Sequence, residues 1–171
     1  VIIDTVKINE NLYGGGNAAQ VLGNTNLDIS NGKIFQNVYA AGNGINALVS
    51  LNTSLTIKDS LVNDSIYGGG NAAAVKATHI TIWGGNTIGN VFGGGNGTIS
   101  PANVLGNTNV NIFGGSITNV YGGSNNQGNI DGDLNVNILS QAEPEKEMCP
   151  LLIDNVYAGG NKAASKVGIL N

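Results

Sequence analysis

The chain has 171 residues, of which 41% are hydrophobic and only 11% charged, and its net charge is −4. Glycine (27) and asparagine (28) make up nearly a third of it, and arginine is absent. So little positive charge argues against a nucleic-acid binder, since Lys and Arg supply most of the affinity for phosphate. No apolar run is long enough to cross a membrane, and a lone Cys149 closes no intrachain disulfide.

From the N-terminus, Val1 and Ile3 show strand spacing, and LYGGGN follows at 12–17. Next comes Thr25-x-Leu27-x-Ile29, whose period of two marks a strand with one buried face. The same two segments then alternate along the chain. VYAAGN (38–43) precedes Thr53-x-Leu55-x-Ile57, and IYGGGN (66–71) precedes Thr78-x-Ile80-x-Ile82. VFGGGN (91–96) precedes Thr108-x-Val110-x-Ile112, VYGGSN (120–125) precedes Leu134-x-Val136-x-Ile138, and VYAGGN (156–161) closes the series.

The motif aromatics are spaced by 26, 28, 25, 29 and 36 residues. From the last aliphatic of an alternating segment to the next aromatic is 10, 10, 10 and 9 residues, then 19. The excess falls at 140–150, which holds two of the three prolines and four charged residues, and it reads as a loop extruded from the wall.

Such periodicity is the signature of a repeat architecture. The expected fold is all-β: one domain, 1–171, forming a single-stranded parallel β-helix or solenoid of about six coils of 25–29 residues. Each coil should carry about three short strands. The hand is expected to be right-handed, by analogy with the larger parallel β-helices. A single coil buries too little to stand alone, so stacked neighbours must supply the remainder.

Like residues should therefore lie over like in ladders. One would be aromatic (Tyr13, Tyr39, Tyr67, Phe92, Tyr121, Tyr157) and one of amides (Asn17, Asn43, Asn71, Asn96, Asn125, Asn161). The outward positions of the alternating strands form a candidate binding face of small polar groups. They are Asn26, Asp28, Ser54, Thr56, His79, Thr81, Asn109, Asn111, Asn135 and Asn137.

The ends carry a further expectation. In this register Val1, Ile2 and Ile3 take the places of residues 27–29, while Leu170 and Asn171 match Leu134 and Asn135. Joined, the two ends read as one strand. A slice of a longer solenoid would look the same; the other reading is end-to-end self-association, each copy completing its neighbour's split coil.

Catalytic chemistry finds little support. Polysaccharide lyases with this architecture need acidic calcium ligands and an Arg or Lys base, yet arginine is missing. Asp131 and Asp133 are the one close acidic pair, but Asp-Gly-Asp before a strand reads as a turn rather than a hydrolase pair. His79 is on the outward phase of its strand, and Cys149 reads as a mobile-loop thiol able to link molecules. GGGNG at 93–97 offers Asn where calcium would want a carboxylate. No catalytic residue, metal or cofactor is expected. An ice-binding face would need regular Thr-x-Thr ranks, and only Thr56 and Thr81 fit. Trp83 reads either as a sugar platform or as a structural ring.

The strings VFGGGN and GNTNVNI (106–112) resemble the Gly/Asn-rich repeats of bacterial adhesin-like surface proteins with parallel β-helix architecture. The resemblance covers nearly the whole chain except 140–150. It implies an extracellular or cell-surface stalk or adhesin whose partners are further copies, a surface glycan, or a host or neighbouring cell. A carbohydrate-binding β-helix without catalysis is the alternative.

Overall fold

The computed structural model describes residues 1–85, 87–142, 149–165 and 169–170. Among them all regular structure is β, and it winds coil by coil. The first coil holds β1 (Ile2–Asp4), β2 (Lys7–Ile8) and β3 (Leu12–Tyr13), and the second β4 (Thr25–Ser30), β5 (Lys33–Ile34) and β6 (Val38–Tyr39). From the third coil the short strands fuse into β7 (Val49–Lys58) and β8 (Leu61–Tyr67), followed by β9 (Val75–Ile82) and β10 (Thr87–Phe92). Then come β11 (Thr108–Ile112), β12 (Gly115–Tyr121), β13 (Leu134–Ile138), β14 (Leu151–Tyr157) and β15 (Ile169–Leu170).

Every pairing between these strands is parallel and joins one coil to the next. A first sheet runs β1-β4-β7-β9-β11-β13-β15; a second is made of β2 and β3, β5 and β6, β8, β10, β12 and β14. The seven strands of the first sheet bound six turns, so the chain is a single-stranded parallel β-solenoid. Register is kept residue by residue: Leu27, Leu55, Ile80, Val110 and Val136 lie in one column and Ile29, Ile57, Ile82, Ile112 and Ile138 in the next. Facing them from the second sheet are Ile34, Val62, Ile88 and Ile117, and beside those Val38, Ile66, Val91 and Val120. All of these but the partly buried Ile138 are buried, because each column packs between two sheets and two neighbouring rungs.

The third wall departs from expectation. Instead of a third strand per coil there is one aliphatic column, Val21, Val49, Val75, Val104 and Ile130, joined largely by single parallel bridges. The chain between the motif asparagine and this column varies from four residues (Asn17 to Val21) to eight (Asn96 to Val104). Segments of unequal length hold register at one point and cannot sustain a ladder.

A column of inward threonines seals the seam where the two sheets meet. The Oγ1 atoms of Thr25, Thr53, Thr78 and Thr108 donate to the carbonyls of Ala40, Gly68, Gly93 and Gly122 at 2.6–2.7 Å. Each accepting residue directly follows a motif aromatic. Small residues are required here, since a Cβ on Gly93 would overlap the Gly122 carbonyl of the next coil.

Candidate functional site

The aromatic at the end of each second-sheet strand lies directly over its counterpart. From Tyr13 to Tyr157 the six rings form one stack, with centroids 4.7–5.0 Å apart and planes within 9° of parallel. That separation is the strand spacing itself. Carbon faces in contact would be about 3.5 Å apart, so the rings are offset, the favoured arrangement. Tyr39, Tyr67 and Phe92 are buried by their neighbours, while the terminal Tyr157 is 46% exposed. Burial raises the phenols of Tyr13, Tyr39, Tyr67 and Tyr121 above their ordinary pKa, most strongly at Tyr39. At Tyr39 the neighbouring Tyr67 adds to the effect, and the bond from Asn96 opposes it.

Four residues after each aromatic, the motif asparagines form an unbroken amide ladder. Asn43 donates to Asn17, Asn71 to Asn43, Asn96 to Asn71, Asn125 to Asn96 and Asn161 to Asn125, all Nδ2 to Oδ1 at 3.0–3.1 Å. The second hydrogens of Asn96 and Asn125 reach back two coils to the hydroxyls of Tyr39 and Tyr67 at 3.2 Å, tying ladder to stack. The amides satisfy one another, which is what makes so polar a column tolerable inside a wall.

A second amide ladder was not anticipated. Two residues before each aromatic stand Asn11, Asn37, Ser65, Asn90, Asn119 and Asn155. Asn37 donates to Asn11, Asn90 to the Ser65 hydroxyl, Asn119 to Asn90 and Asn155 to Asn119, at 2.8–3.2 Å. The Asn-aliphatic-aromatic triplet was the available signal. In both ladders the later coil always donates, so donor amides are left at the N-terminal end and acceptor oxygens at the other.

The outward face of the first sheet holds its polar residues in two registered columns, Asn26, Ser54, His79, Asn109 and Asn135 beside Asp28, Thr56, Thr81, Asn111 and Asn137. Its C-terminal part is self-occupied: Asn135 donates to Asn109 and Asn137 to Asn111 at 3.1 and 2.8 Å. His79 Nε2 lies 3.2 Å from the Thr81 hydroxyl and faces solvent. Trp83 is not solitary. It stacks on Phe113 one coil on, centroids 4.3 Å apart and planes 26° from parallel, so one face of the indole is covered.

Cys149, expected as a mobile-loop thiol, stands in the described segment just before β14. It is half-buried and packs over the corner glycines Gly84 and Gly114, which have no side chain to exclude it. Pro150 beside it accepts the Gly115 N–H, while the expected loop residues 143–148 lie outside those described. Asp131 and Asp133 are exposed in the turn before β13, where the Asp133 N–H bonds Asn107 Oδ1. Among the described residues no group of three His, Cys, Asp or Glu stands close enough to hold a metal.

The end register needs correction. Ile3 pairs with Ile29 as expected, but Leu170 pairs with Val136, not Leu134. Leu170 therefore falls in the column that Val1 would extend, so the two ends overlap in this sheet rather than completing one split strand. The irregular last coil carries Leu170 two residues further along the strand than the sequence spacing predicts. Val1 and Ile2 are exposed, and Asn171 lies outside the described residues.

A scan against protein-family models finds no match, and searches of curated proteins and of solved structures likewise return none. What the coordinates define is a class: a parallel β-solenoid stitched lengthwise by a ring stack and two amide ladders.

Proposed function

We propose that this chain is a non-enzymatic structural and adhesive solenoid of the extracellular or bacterial cell surface, to which further coils add head to tail. The observation that carries this reading is the common direction of the ladders. With acceptor oxygens at one end and donor amides at the other, the C-terminal end of one copy suits the N-terminal end of the next, whereas like ends would set donor against donor. The exposed ring of Tyr157 and the edge of β14, which pairs only with β12 among the described residues, offer the matching apolar and backbone contacts. Because β1 and β15 claim the same column, docking requires one of them to yield. The resemblance to adhesin-like Gly/Asn-rich repeats supports the location.

Electron microscopy of the purified chain, paired with light scattering across a concentration series, tests this. Rods that lengthen with concentration are expected, and Tyr157→Glu, which replaces the exposed terminal ring with a charge, should hold them at unit length. A single-length monomer at every concentration would contradict the assembly.

The outward face supports the adhesive part at its N-terminal half, where Asn26, Asp28, Ser54 and Thr56 are exposed or half-exposed. A surface glycan is the ligand class suited to such amides and hydroxyls. Glycan-array binding lost in Asn26→Ala with Thr56→Ala would support that ligand, and binding unchanged by the substitutions would remove it.

A further inference from the structure

An asparagine-rich rod has a chemical weakness, because an Asn followed by Gly converts spontaneously to an acid. The backbone nitrogen of the glycine bonds to the asparagine Cγ and the amide nitrogen leaves as ammonia. Water then opens the resulting imide to aspartate or isoaspartate. This chain has three such pairs: Asn31-Gly32, Asn43-Gly44 and Asn96-Gly97.

Two of the three have their asparagine amide locked in the ladder. Asn96 donates to Asn71 and to the Tyr39 hydroxyl and accepts from Asn125 and Asn126, while the Gly97 nitrogen gives its hydrogen to the Asn71 carbonyl at 2.9 Å. Nucleophile and electrophile are thus held in separate bonds. The Asn43 amide likewise donates to Asn17 and accepts from Asn71 at 3.0 Å.

Asn31 is held differently. It lies at the corner between β4 and β5 at φ 52°, exposed, and its side chain makes a single 3.3 Å bond, to Asp4 Oδ1. The Gly32 nitrogen bonds only the Ser60 hydroxyl, at 3.1 Å. That hydroxyl is buried and itself donates to the Lys58 carbonyl at 2.7 Å, so the difference from Asn43 and Asn96 lies in the exposed Asn31 amide.

We propose that Asn31 is a self-modification site, the one Asn-Gly pair the fold leaves open to deamidation, and that its conversion loosens the first coil. The product replaces the amide that donates to Asp4 with a carboxylate facing it. Thr5, Asn31 and Asp59 occupy the same left-handed corner of successive coils, at φ 55°, 52° and 47°, so the new charge also lies next to the corner of Asp59. The cross-rung bond holding the β1 end becomes a repulsion.

The test is to age the full chain in mildly alkaline buffer, folded and in urea, and to follow all three sites by peptide mass spectrometry. In urea the three pairs should convert at comparable rates. In the folded chain Asn31 should outpace Asn43 and Asn96 by more than about tenfold, since those need local opening first. Equal rates at the three folded sites, or Asn31 trailing the others, would overturn the assignment. Asn31→Asp, an exposed change that leaves the core intact, reads the consequence. Faster amide exchange confined to residues 2–8 is expected, and an exchange pattern identical to the parent chain would refute the loosening.

Discussion

At the residue scale, the chain turns side chains that are ordinarily isolated into continuous columns. Tyr67 contacts rings on both faces and accepts a hydrogen bond from Asn125, so Tyr67→Ala removes two stacking contacts and opens a cavity. A loss of about 3–5 kcal/mol is expected, read by urea denaturation. Tyr67→Phe keeps the rings and loses only the hydroxyl bond, a change of about 1 kcal/mol. The fold also holds the phenols of Tyr39 and Tyr67 neutral. Their folded pKa lies above the unfolded value near 10, so their contribution is complete below that pH. Above it the unfolded chain ionises first and stability falls as pH rises. Denaturant midpoints across the alkaline range should decline, and in a tyrosinate absorbance titration the buried phenols should ionise only as the chain unfolds.

At the element scale, the threonine column joins one sheet to the other. Thr78→Val preserves shape but leaves the Gly93 carbonyl without its 2.6 Å partner inside the wall, at a cost of about 1–3 kcal/mol in equilibrium unfolding. The alternation Thr-x-aliphatic-x-Ile was legible in the sequence because period two has one structural meaning, and the strands β4, β7, β9, β11 and β13 lie where it stands. The role of the Thr hydroxyls was not legible, since their acceptors lie 14 or 15 residues away across a corner. The third wall failed for the opposite reason: its residues recur, but unequal spacers break the regularity that pattern-reading needs. The ladder of Asn11, Asn37, Asn90, Asn119 and Asn155 is less legible in the sequence because Ser65 interrupts it. Trp83 stands alone in the sequence because its partner Phe113 differs in type, and nothing local to Cys149 shows that Gly84 and Gly114 make room for it.

At the scale of the whole molecule, no coil is self-sufficient, and order passes from each rung to the next. The inner coils have neighbours on both sides, whereas Ile3, Ile8 and Leu12 at one end and Ile153 and Val156 at the other are only partly buried. Local stability should follow this gradient. Coil-resolved hydrogen–deuterium exchange of the isolated chain, at a concentration where it is monomeric, measures it most directly. Slowest exchange is predicted in β8, β9 and β10, quickening stepwise toward β1 and β14. A terminal rung that outlasts the middle, or even protection from end to end, would mean that something other than rung-on-rung support holds the chain in shape.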